Sequence, residues 1–370
     1  MKIVFCTPGN LEFADYRNGN LLGTEFQIFG LSAELLRRGH EVYIIRKWFK
    51  GCSKYENIKG IHIINIFIFN SKKQKNMQKI LFSWYVKKEI NKIRPDILIL
   101  SEILSSYFIC TLPTPKIYVT HNNPGRLYSS NNSFKQYIRM FTERRIFRNC
   151  NLMIALNNEI GEYLSKNGYN SLVIPNALEI DEYGLETFDF NSIMYGGRFD
   201  KIKGLEILIE AYSMLSEDIQ KNYQLLLVGD GPNKTSIKNS IYNLGISDRV
   251  DFVPWLPSKD FIKQISGCSI FVLPSLSECM PVSLIEAMAL GKPVIASDIP
   301  GPKDIVISGY NGLLFEKKNA DELKNCIELL ITNKDFMLKI GRNAKKTIEE
   351  RYSFSIIADK YESIFKMLVE

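Results

Sequence analysis

The segment Ser192–Leu215, SIMYGGRFDKIKGLEILIEAYSML, decides the fold. An apolar run ends at Gly196 and Gly197, and after a polar turn apolar residues recur at helical spacing. The apolar stripe consists of Leu205, Leu208, Ile209, Tyr212 and Leu215. A strand that leads through a glycine turn into a helix with one apolar face is typical of a parallel α/β sheet. We therefore expect this stripe to be core.

The same alternation of apolar strands and amphipathic helices runs through both halves of the 370-residue chain. A chain of this length seldom keeps a single core, so the sequence predicts two α/β domains in tandem, each a doubly wound parallel sheet. Such sheets bind ligands beyond the carboxyl ends of their strands. Candidate functional residues are therefore expected in the loops that follow strands.

Composition narrows the class of protein. With 45% hydrophobic and 24% charged residues, the chain is typical of a globular protein. The seven cysteines include no Cys-x-x-Cys pair, and no Asp-x-Asp or His/Cys cluster has the spacing of metal ligands. We expect a reducing cytoplasm, no metal and no disulfide framework. No apolar run approaches the ~20 residues of a membrane span, which predicts a soluble or peripheral protein.

Charge is divided unevenly along the chain. Residues 1–180 contain 25 Lys and Arg against 13 Asp and Glu, whereas the remainder contains 22 against 27. This division favours one domain that faces an anionic surface or acceptor, and not a nucleic-acid partner. Residues 72–94 surround Met77, Leu81 and Trp84 with lysines, a composition that suits contact with anionic lipid. The alternative is that these three side chains are core and the lysines form a solvated face.

Two cations follow the strand that ends at Gly196. Arg198 and Lys203 bracket a turn that leads from Gly197 into a helix start, where backbone amides are free. Two cations beside free amides favour a diphosphate site. Taken alone, the same turn is also compatible with a solvated basic loop.

Two carboxylates flank the start of the helix predicted over Pro281–Leu290. Glu278 lies in the loop after the strand SIFVL, and Glu286 lies one turn inside the helix on the face of Val282. The free amides of the first turn, at Val282 and Ser283, and the Glu286 carboxylate can therefore address one ligand. The alternative role for such a carboxylate is to stabilise the helix dipole.

These motifs, in this order, resemble a large family. The shared features are Arg198 with Lys203, the turn Gly229–Pro232, Glu278 with seven residues before Glu286, the run EAMALGKPVIAS, Gly23-Thr24-Glu25, His121 after the strand KIYVT, and Ile174-Pro175-Asn176. Together they resemble the retaining, nucleotide-sugar-dependent glycosyltransferases of family four, which have the two-domain GT-B fold. The resemblance is specific in residues 190–315 and looser in the N-terminal half.

The resemblance implies an architecture and a set of residue roles. Residues 1–169 with 352–370 would form the acceptor-side domain, residues 170–351 the nucleotide-sugar domain, with a cleft between them and a last helix, Phe354–Leu368, crossing back. The implied roles are diphosphate binding by Gly197, Arg198 and Lys203, ribose binding by Glu286 beside Val282 and Ser283, donor-sugar contact by Glu278, approach of a loop to the diphosphate at Gly23, and contact near the reacting sugar by His121.

The implied reaction moves a sugar, with retention, from a UDP- or GDP-sugar to a hydroxyl of a glycan or lipid-linked acceptor. No cofactor or metal is implied, because cations and helix amides would handle the charge of the leaving diphosphate. The Lys-, Ile- and Asn-rich chain indicates a bacterial enzyme of surface polysaccharide or lipopolysaccharide synthesis. We expect it in the cytoplasm, with peripheral attachment to the inner face of the plasma membrane through its basic half.

The chain departs from the family pattern at two places. Leu22 replaces the first of two glycines, and Cys279-Met280-Pro281 replaces a commoner Gly-Phe-Gly, which bears on sugar specificity because proline has no N–H to donate. Two alternative functions remain open at this point. One is an NAD-dependent oxidoreductase, although Lys234 occupies the place of the third glycine in Gly-x-Gly-x-x-Gly. The other is a non-catalytic nucleotide-sugar-binding protein of the same fold.

Overall fold

The computed structural model describes residues 1–7, 23–48, 51–68, 75–121, 133–179 and 191–370, with the side chains of all these residues except 75 and 133–139. The described residues form two compact units. The first comprises those up to Ala177 together with Phe354–Glu370, and the second comprises Leu178–Ser353. The predicted boundary between the two domains was 169/170. The division lies later because the strand Ser171–Val173 pairs with the strand Leu152–Ala155 of the first unit.

The first unit is built on one sheet. Its elements are β1 (Lys2–Thr7), α1 (Gly23–Arg37), β2 (Glu41–Lys47), β3 (Tyr55–Ile58), β4 (Ile61–Ile66), α2 (Lys75–Ile93), β5 (Ile97–Leu100), β6 (Lys116–Thr120), α3 (Ser133–Arg148), β7 (Leu152–Ala155), α4 (Asn158–Lys166) and β8 (Ser171–Val173). The strand order is β3-β4-β2-β1-β5-β6-β7-β8, and in the described residues only the pairing of β3 with β4 is antiparallel. The sequence pattern does not predict β3. A turn at Lys59 and Gly60, both with positive φ, joins β3 to β4.

The second unit is built on a separate sheet. Its elements are β9 (Ser192–Gly196), α5 (Leu205–Ser213), α6 (Glu217–Asn222), β10 (Gln224–Val228), α7 (Lys234–Asn243), β11 (Val250–Val253), α8 (Ser258–Ser266), β12 (Ile270–Leu273), α9 (Val282–Ala289), β13 (Val294–Ser297), α10 (Pro302–Ile305), β14 (Leu313–Phe315), α11 (Ala320–Thr332) and α12 (Lys334–Arg351). The strand order is β11-β10-β9-β12-β13-β14, with parallel pairings throughout. The predicted fold class, two Rossmann-like parallel-sheet units, is confirmed.

The core lies against the two sheets. The predicted stripe on α5 is buried throughout, from Leu205 to Leu215, as expected for a helix packed on a sheet. The apolar stripe on α2, for which a core position was the alternative, is not buried: Met77, Leu81 and Trp84 are 50%, 43% and 41% exposed. Phe82 and Val86 are buried on this helix instead, so the core alternative for Met77, Leu81 and Trp84 is wrong.

The last helix of the chain, α13 (Phe354–Val369), belongs to the first unit. It packs on α1, where a side chain at Gly30 would collide with the ring of Phe354. Arg38 donates to Glu362 of α13 at 2.7 Å and also to the Ser355 carbonyl oxygen at 2.8 Å. Among the described residues, no helix combines the length and apolar character needed to cross a membrane.

Candidate active site

The order of the second sheet reverses at β9, because β10 and β11 lie on one side of it and β12, β13 and β14 on the other. Loops that leave the carboxyl ends of two adjacent strands in opposite directions open a crevice at such a reversal, and ligands of open α/β sheets bind there. The loop after β9 carries Gly197, Arg198 and Lys203, and the loop after β12 carries Glu278. The predicted candidates of the second unit therefore converge on one place.

Glycines bring the loop after β9 against the loop after β10. Gly197 has a φ of 154°, and a side chain at Gly229 would collide with the Gly197 carbonyl oxygen. A side chain at Gly231 would likewise collide with the backbone of Phe199. These glycines of the Gly229–Pro232 turn thus allow the two loops to pack closely. This packing accounts for the glycines without a dinucleotide-binding site.

Lys203 and Glu278 form an ion pair across the crevice. The Lys203 Nζ lies 2.7 Å from Glu278 Oε1, and the Ser275 hydroxyl donates to the same oxygen at 2.7 Å. Gly204, with a φ of 62°, seats this loop closely on the backbone of Pro274. Both hydrogen bonds fall on Oε1 of Glu278, so its Oε2 keeps acceptor capacity for a ligand hydroxyl.

Arg198 occupies a more open position. Its side chain is 65% exposed, and its Nε lies 3.7 Å from Asp200 Oδ2. An exposed pair at this distance contributes little stability, so the guanidinium can turn toward a bound anion at small cost. The Tyr195 hydroxyl donates to the Arg198 carbonyl oxygen at 3.0 Å, which fixes the backbone at the base of this exposed side chain.

Glu286 lies on α9, the helix that follows the Glu278 loop. It is 8% exposed, and its carboxyl group makes no hydrogen bond or ion pair with the described part of the chain. Desolvation raises the pKa of Glu286 to about 7. Burying a carboxyl group that has no hydrogen-bond partner costs free energy of folding. Buried groups with such shifted pKa values are typical of ligand-binding sites.

The start of α9 offers backbone donors beside Glu286. Pro281 is its N-cap and supplies no side-chain cap, so the amides of Val282 and Ser283 are not capped by a side chain. Pro281, predicted inside the first turn of the helix, lies one position earlier, where its extended ψ of 111° ends the loop. Four of the predicted residues, Glu286, Val282, Ser283 and Glu278, thus belong to α9 or the loop directly before it.

The two predicted residues of the first unit lie at its own sheet edge. Gly23 begins α1 and is exposed. His121 follows β6 and lines a cavity of about 40 Å³ together with Cys6 and Ser101, at the carboxyl ends of β6, β1 and β5. Burial lowers the pKa of His121 to about 4, so the imidazole is neutral at pH 7.

Sequence patterns missed two supporting residues of the second unit. Ser275 orients Glu278, but a serine after a strand carries no distinctive spacing. Gly301 has a φ of 93°, and a side chain there would collide with the Cys279 carbonyl oxygen. Its role depends on a contact between loops that follow β12 and β13, which spacing along the chain does not reveal.

Profiles of two families match the chain one after the other. "Glycosyltransferase Family 4" matches residues 23–182, and "Glycosyl transferases group 1" matches residues 184–347. The chain belongs to glycosyltransferase family four. It is a glycosyltransferase, and the oxidoreductase alternative is therefore wrong: the glycines that suggested it pack two loops together.

Three relatives extend the comparison. A glycosyltransferase of Methanocaldococcus jannaschii is 24% identical over 92% of this chain and 93% of its own length. The capsular polysaccharide biosynthesis glycosyltransferase CapM of Staphylococcus aureus is 31% identical over 48% of this chain and 46% of its own. The lipopolysaccharide core biosynthesis glycosyltransferase LpsE of Rhizobium meliloti is 27% identical over 60% of this chain and 65% of its own.

Solved structures share the fold. Sucrose-phosphate synthase from Thermosynechococcus elongatus has a TM-score of 0.84 and 20% identity, covering 99% of this chain and 98% of that one. HepE of Anabaena, solved in complex with UDP-glucose, has a TM-score of 0.76 and 19% identity, with both chains covered completely. The chain therefore has the GT-B fold.

Proposed function

We propose that this glycosyltransferase takes a sugar from a UDP- or GDP-sugar and transfers it to a hydroxyl of a glycan or lipid-linked acceptor in bacterial surface polysaccharide or lipopolysaccharide synthesis. The observation that carries the proposal is the Lys203–Glu278 pair at the reversal of strand order, together with the buried Glu286, which has no partner among the described residues. The binding of UDP-glucose by HepE supports a nucleotide-sugar donor. The roles of CapM in capsular polysaccharide synthesis and of LpsE in lipopolysaccharide core synthesis support a polysaccharide acceptor.

The charges of the site suit the departure of a nucleoside diphosphate. When the bond between the anomeric carbon and the phosphate oxygen breaks, negative charge develops on the diphosphate and positive charge on the sugar. Lys203 and Arg198 would offset the first, together with the helix-start amides, without a metal. The Glu278 carboxylate would accept hydrogen bonds from the donor sugar, and Glu286 from the ribose hydroxyls.

Retention would follow from attack on the face that the diphosphate leaves. The acceptor oxygen bonds to the anomeric carbon as the bond to the phosphate oxygen breaks, and the acceptor proton passes to that phosphate. His121 would contact the reacting sugar as a neutral imidazole and Gly23 would approach the diphosphate. NMR of the product tests this step, since inversion at the anomeric carbon would contradict it.

Slow hydrolysis of nucleotide-sugars tests the proposal before the acceptor is identified. We expect the full chain to release nucleoside diphosphate from at least one member of a panel of UDP-, GDP- and ADP-sugars. The Lys203→Ala variant should lose this activity, and the Lys201→Ala variant, which removes an exposed lysine of the same turn, should keep it. Equal release by all three proteins, or release by none, would overturn the proposal.

We further propose that the enzyme works in the cytoplasm, with its first unit resting on the anionic inner face of the plasma membrane through α2. Leu81, Trp84 and Tyr85 are all more than two-fifths exposed on this helix, and the Lys88 Nζ lies 3.5 Å from the Trp84 ring centroid. Large apolar groups beside lysines suit the headgroup region, where each cation contributes about 1 kcal/mol.

Vesicle co-sedimentation tests this contact. Binding to vesicles that contain phosphatidylserine should fall at high salt and should weaken several-fold in a Leu81→Ser/Trp84→Ser variant. The matched control is Tyr242→Ser, which removes an exposed aromatic residue of the second unit. Equal pelleting with neutral and anionic vesicles, or no change in the double variant, would show that α2 does not meet lipid.

A further inference from the structure

Gln27 is a buried side chain near the start of α1, and its amide pairs with a distant backbone residue. It lies four positions after Gly23, on the same face of the helix, and is 8% exposed. Its Nε2 donates to the Ala177 carbonyl oxygen at 2.8 Å, and its Oε1 accepts the Ala177 N–H at 2.7 Å. A side chain that pairs with both backbone groups of one residue fixes the distance and the direction of that residue, as a neighbouring strand would.

Ala177 ends the segment that follows β8. The chain leaves the sheet at Ile174, whose N–H donates to the Ala155 carbonyl oxygen at 2.9 Å, and Pro175 has no N–H with which to continue the ladder. Ala177 is fully buried and is the last residue of the first unit before the chain passes into the second. Gln27 therefore satisfies two buried backbone groups that lie beyond the sheet.

The two segments that Gln27 joins are adjoining walls of the cavity beside His121. Gln27 itself lines this cavity from α1, residues 174–176 line it from the segment after β8, and His121 lines it from the end of β6. Loss of the Gln27 amide would release one wall from the other and leave the backbone groups of Ala177 unpaired. The geometry around His121 thus depends on this amide.

The two ends of α1 are held by different contacts. At the far end, Arg38 donates to Glu362 of α13. Near the start, Gln27 holds the helix to the segment that lines the cavity. At 1.5 Å per residue, Gln27 lies about 6 Å from Gly23 along the helix and Arg38 lies about 22 Å from it. The Gln27 contact is therefore the one placed between Gly23 and His121, the two residues of the first unit to which we assign roles at the donor.

We propose that Gln27 is a positioning residue for the sugar-transfer step. The inference rests on the proposed function, in which Gly23 approaches the diphosphate and His121 contacts the reacting sugar. Gln27 acts through these two residues, because it holds the start of α1 and the wall of the His121 cavity in one arrangement. A displacement of about 1 Å can lower a rate by ~10²-fold. Loss of the contact should therefore lower turnover and spare nucleotide affinity, for which the second unit supplies the charges.

Steady-state release of nucleoside diphosphate from the preferred nucleotide-sugar, together with calorimetry of the free nucleotide, tests the assignment. Gln27→Leu removes both hydrogen bonds, and we expect its kcat to fall roughly 10- to 100-fold with the affinity for UDP or GDP unchanged. The matched control is Arg38→Met, which removes the contacts at the other end of α1. It should lower the melting temperature and keep the kcat of the wild-type chain.

Gln27→Glu gives a readout that a purely structural role would not move. When protonated, the new carboxyl group can donate to the Ala177 carbonyl oxygen as the amide does, and when ionised it can only accept. Burial disfavours the ionised form. The kcat of Gln27→Glu relative to that of the wild-type chain should therefore rise several-fold as the pH falls from 8 to 6, at a temperature at which both proteins are folded.

Three results would overturn the inference and leave the proposed function standing. They are a kcat of Gln27→Leu within a few-fold of wild type, an equal loss of turnover in Arg38→Met, and a ratio of Gln27→Glu to wild type that does not change with pH. Failure of the wild-type chain to release diphosphate from any nucleotide-sugar would overturn both.

Discussion

The two units place different chemistry at the carboxyl edges of their sheets. The second unit holds a charged pair, Lys203 and Glu278, and a carboxyl group at Glu286. Among the described residues that line the cavity of the first unit there is no Asp, Glu, Lys or Arg, and His121 is neutral at pH 7. The charged edge of the second unit suits an anionic diphosphate. The uncharged edge of the first unit suits a neutral group that carries hydroxyls. In the first unit, Lys88 of α2 lies on the exposed surface instead.

Removing a cation from the charged edge should give the largest effect. We expect Lys203→Ala and Arg198→Ala each to lower turnover of the preferred nucleotide-sugar by ~10²–10³, the scale for losing one preorganised group at developing charge. Steady-state kinetics measures this loss, with Lys201→Ala as the matched control. Turnover within a few-fold of wild type in both variants would show that these two cations of the second unit do not hold the diphosphate.

The two glutamates of the charged edge should separate by what they bind. Glu286→Gln should weaken binding of free nucleoside diphosphate by roughly 10- to 100-fold, because hydrogen bonds from the ribose to a charged group are lost. Glu278→Gln should spare nucleotide binding and lower transfer, since Glu278 would contact only the sugar part of the donor. Calorimetry with UDP or GDP distinguishes the two, and equal effects would refute the division.

The stability of the two units should also change with pH in opposite directions. The pKa of Glu286 is raised, so the second unit loses stability as pH rises through about 7. The pKa of His121 is lowered, so the first unit loses stability as pH falls from its unfolded value of 6.5 toward 4. Each contribution changes by roughly 2 kcal/mol between pH 5 and pH 8.

Thermal unfolding of two variants checks these signs. Glu286→Gln should raise the melting temperature by several degrees at pH 8 and less at pH 5, whereas His121→Asn should raise it at pH 5 and not at pH 8. The same pH dependence in both variants would mean that burial does not set the charge of these two groups.

The alternation of strands and helices was enough to predict both sheets, because buried parallel strands are continuous apolar runs. It was not enough for β3, β8 and β14, each of only three or four residues; Tyr55 of β3 and Val173 of β8 are also exposed. On α2 the spacing of apolar residues led to a wrong alternative for the core. Met77, Leu81 and Trp84 share a helical stripe, yet Phe82 and Val86 are the residues that pack inward.

The charged site followed from motifs, since Lys203, Glu278 and Glu286 lie in loops or helix starts after strands. The contact of Gly301 with the Cys279 carbonyl oxygen depends on which loops become neighbours across the sheet. That information lies in strand order, and spacing along the chain does not contain it.

The second unit alone is proposed to supply the charges that hold the donor nucleotide. Calorimetric titration of UDP and GDP into Lys203→Ala and His121→Asn tests it most directly. We predict that Lys203→Ala weakens nucleotide binding at least tenfold, while His121→Asn binds as wild type does. Full affinity in Lys203→Ala together with lost affinity in His121→Asn would contradict the account.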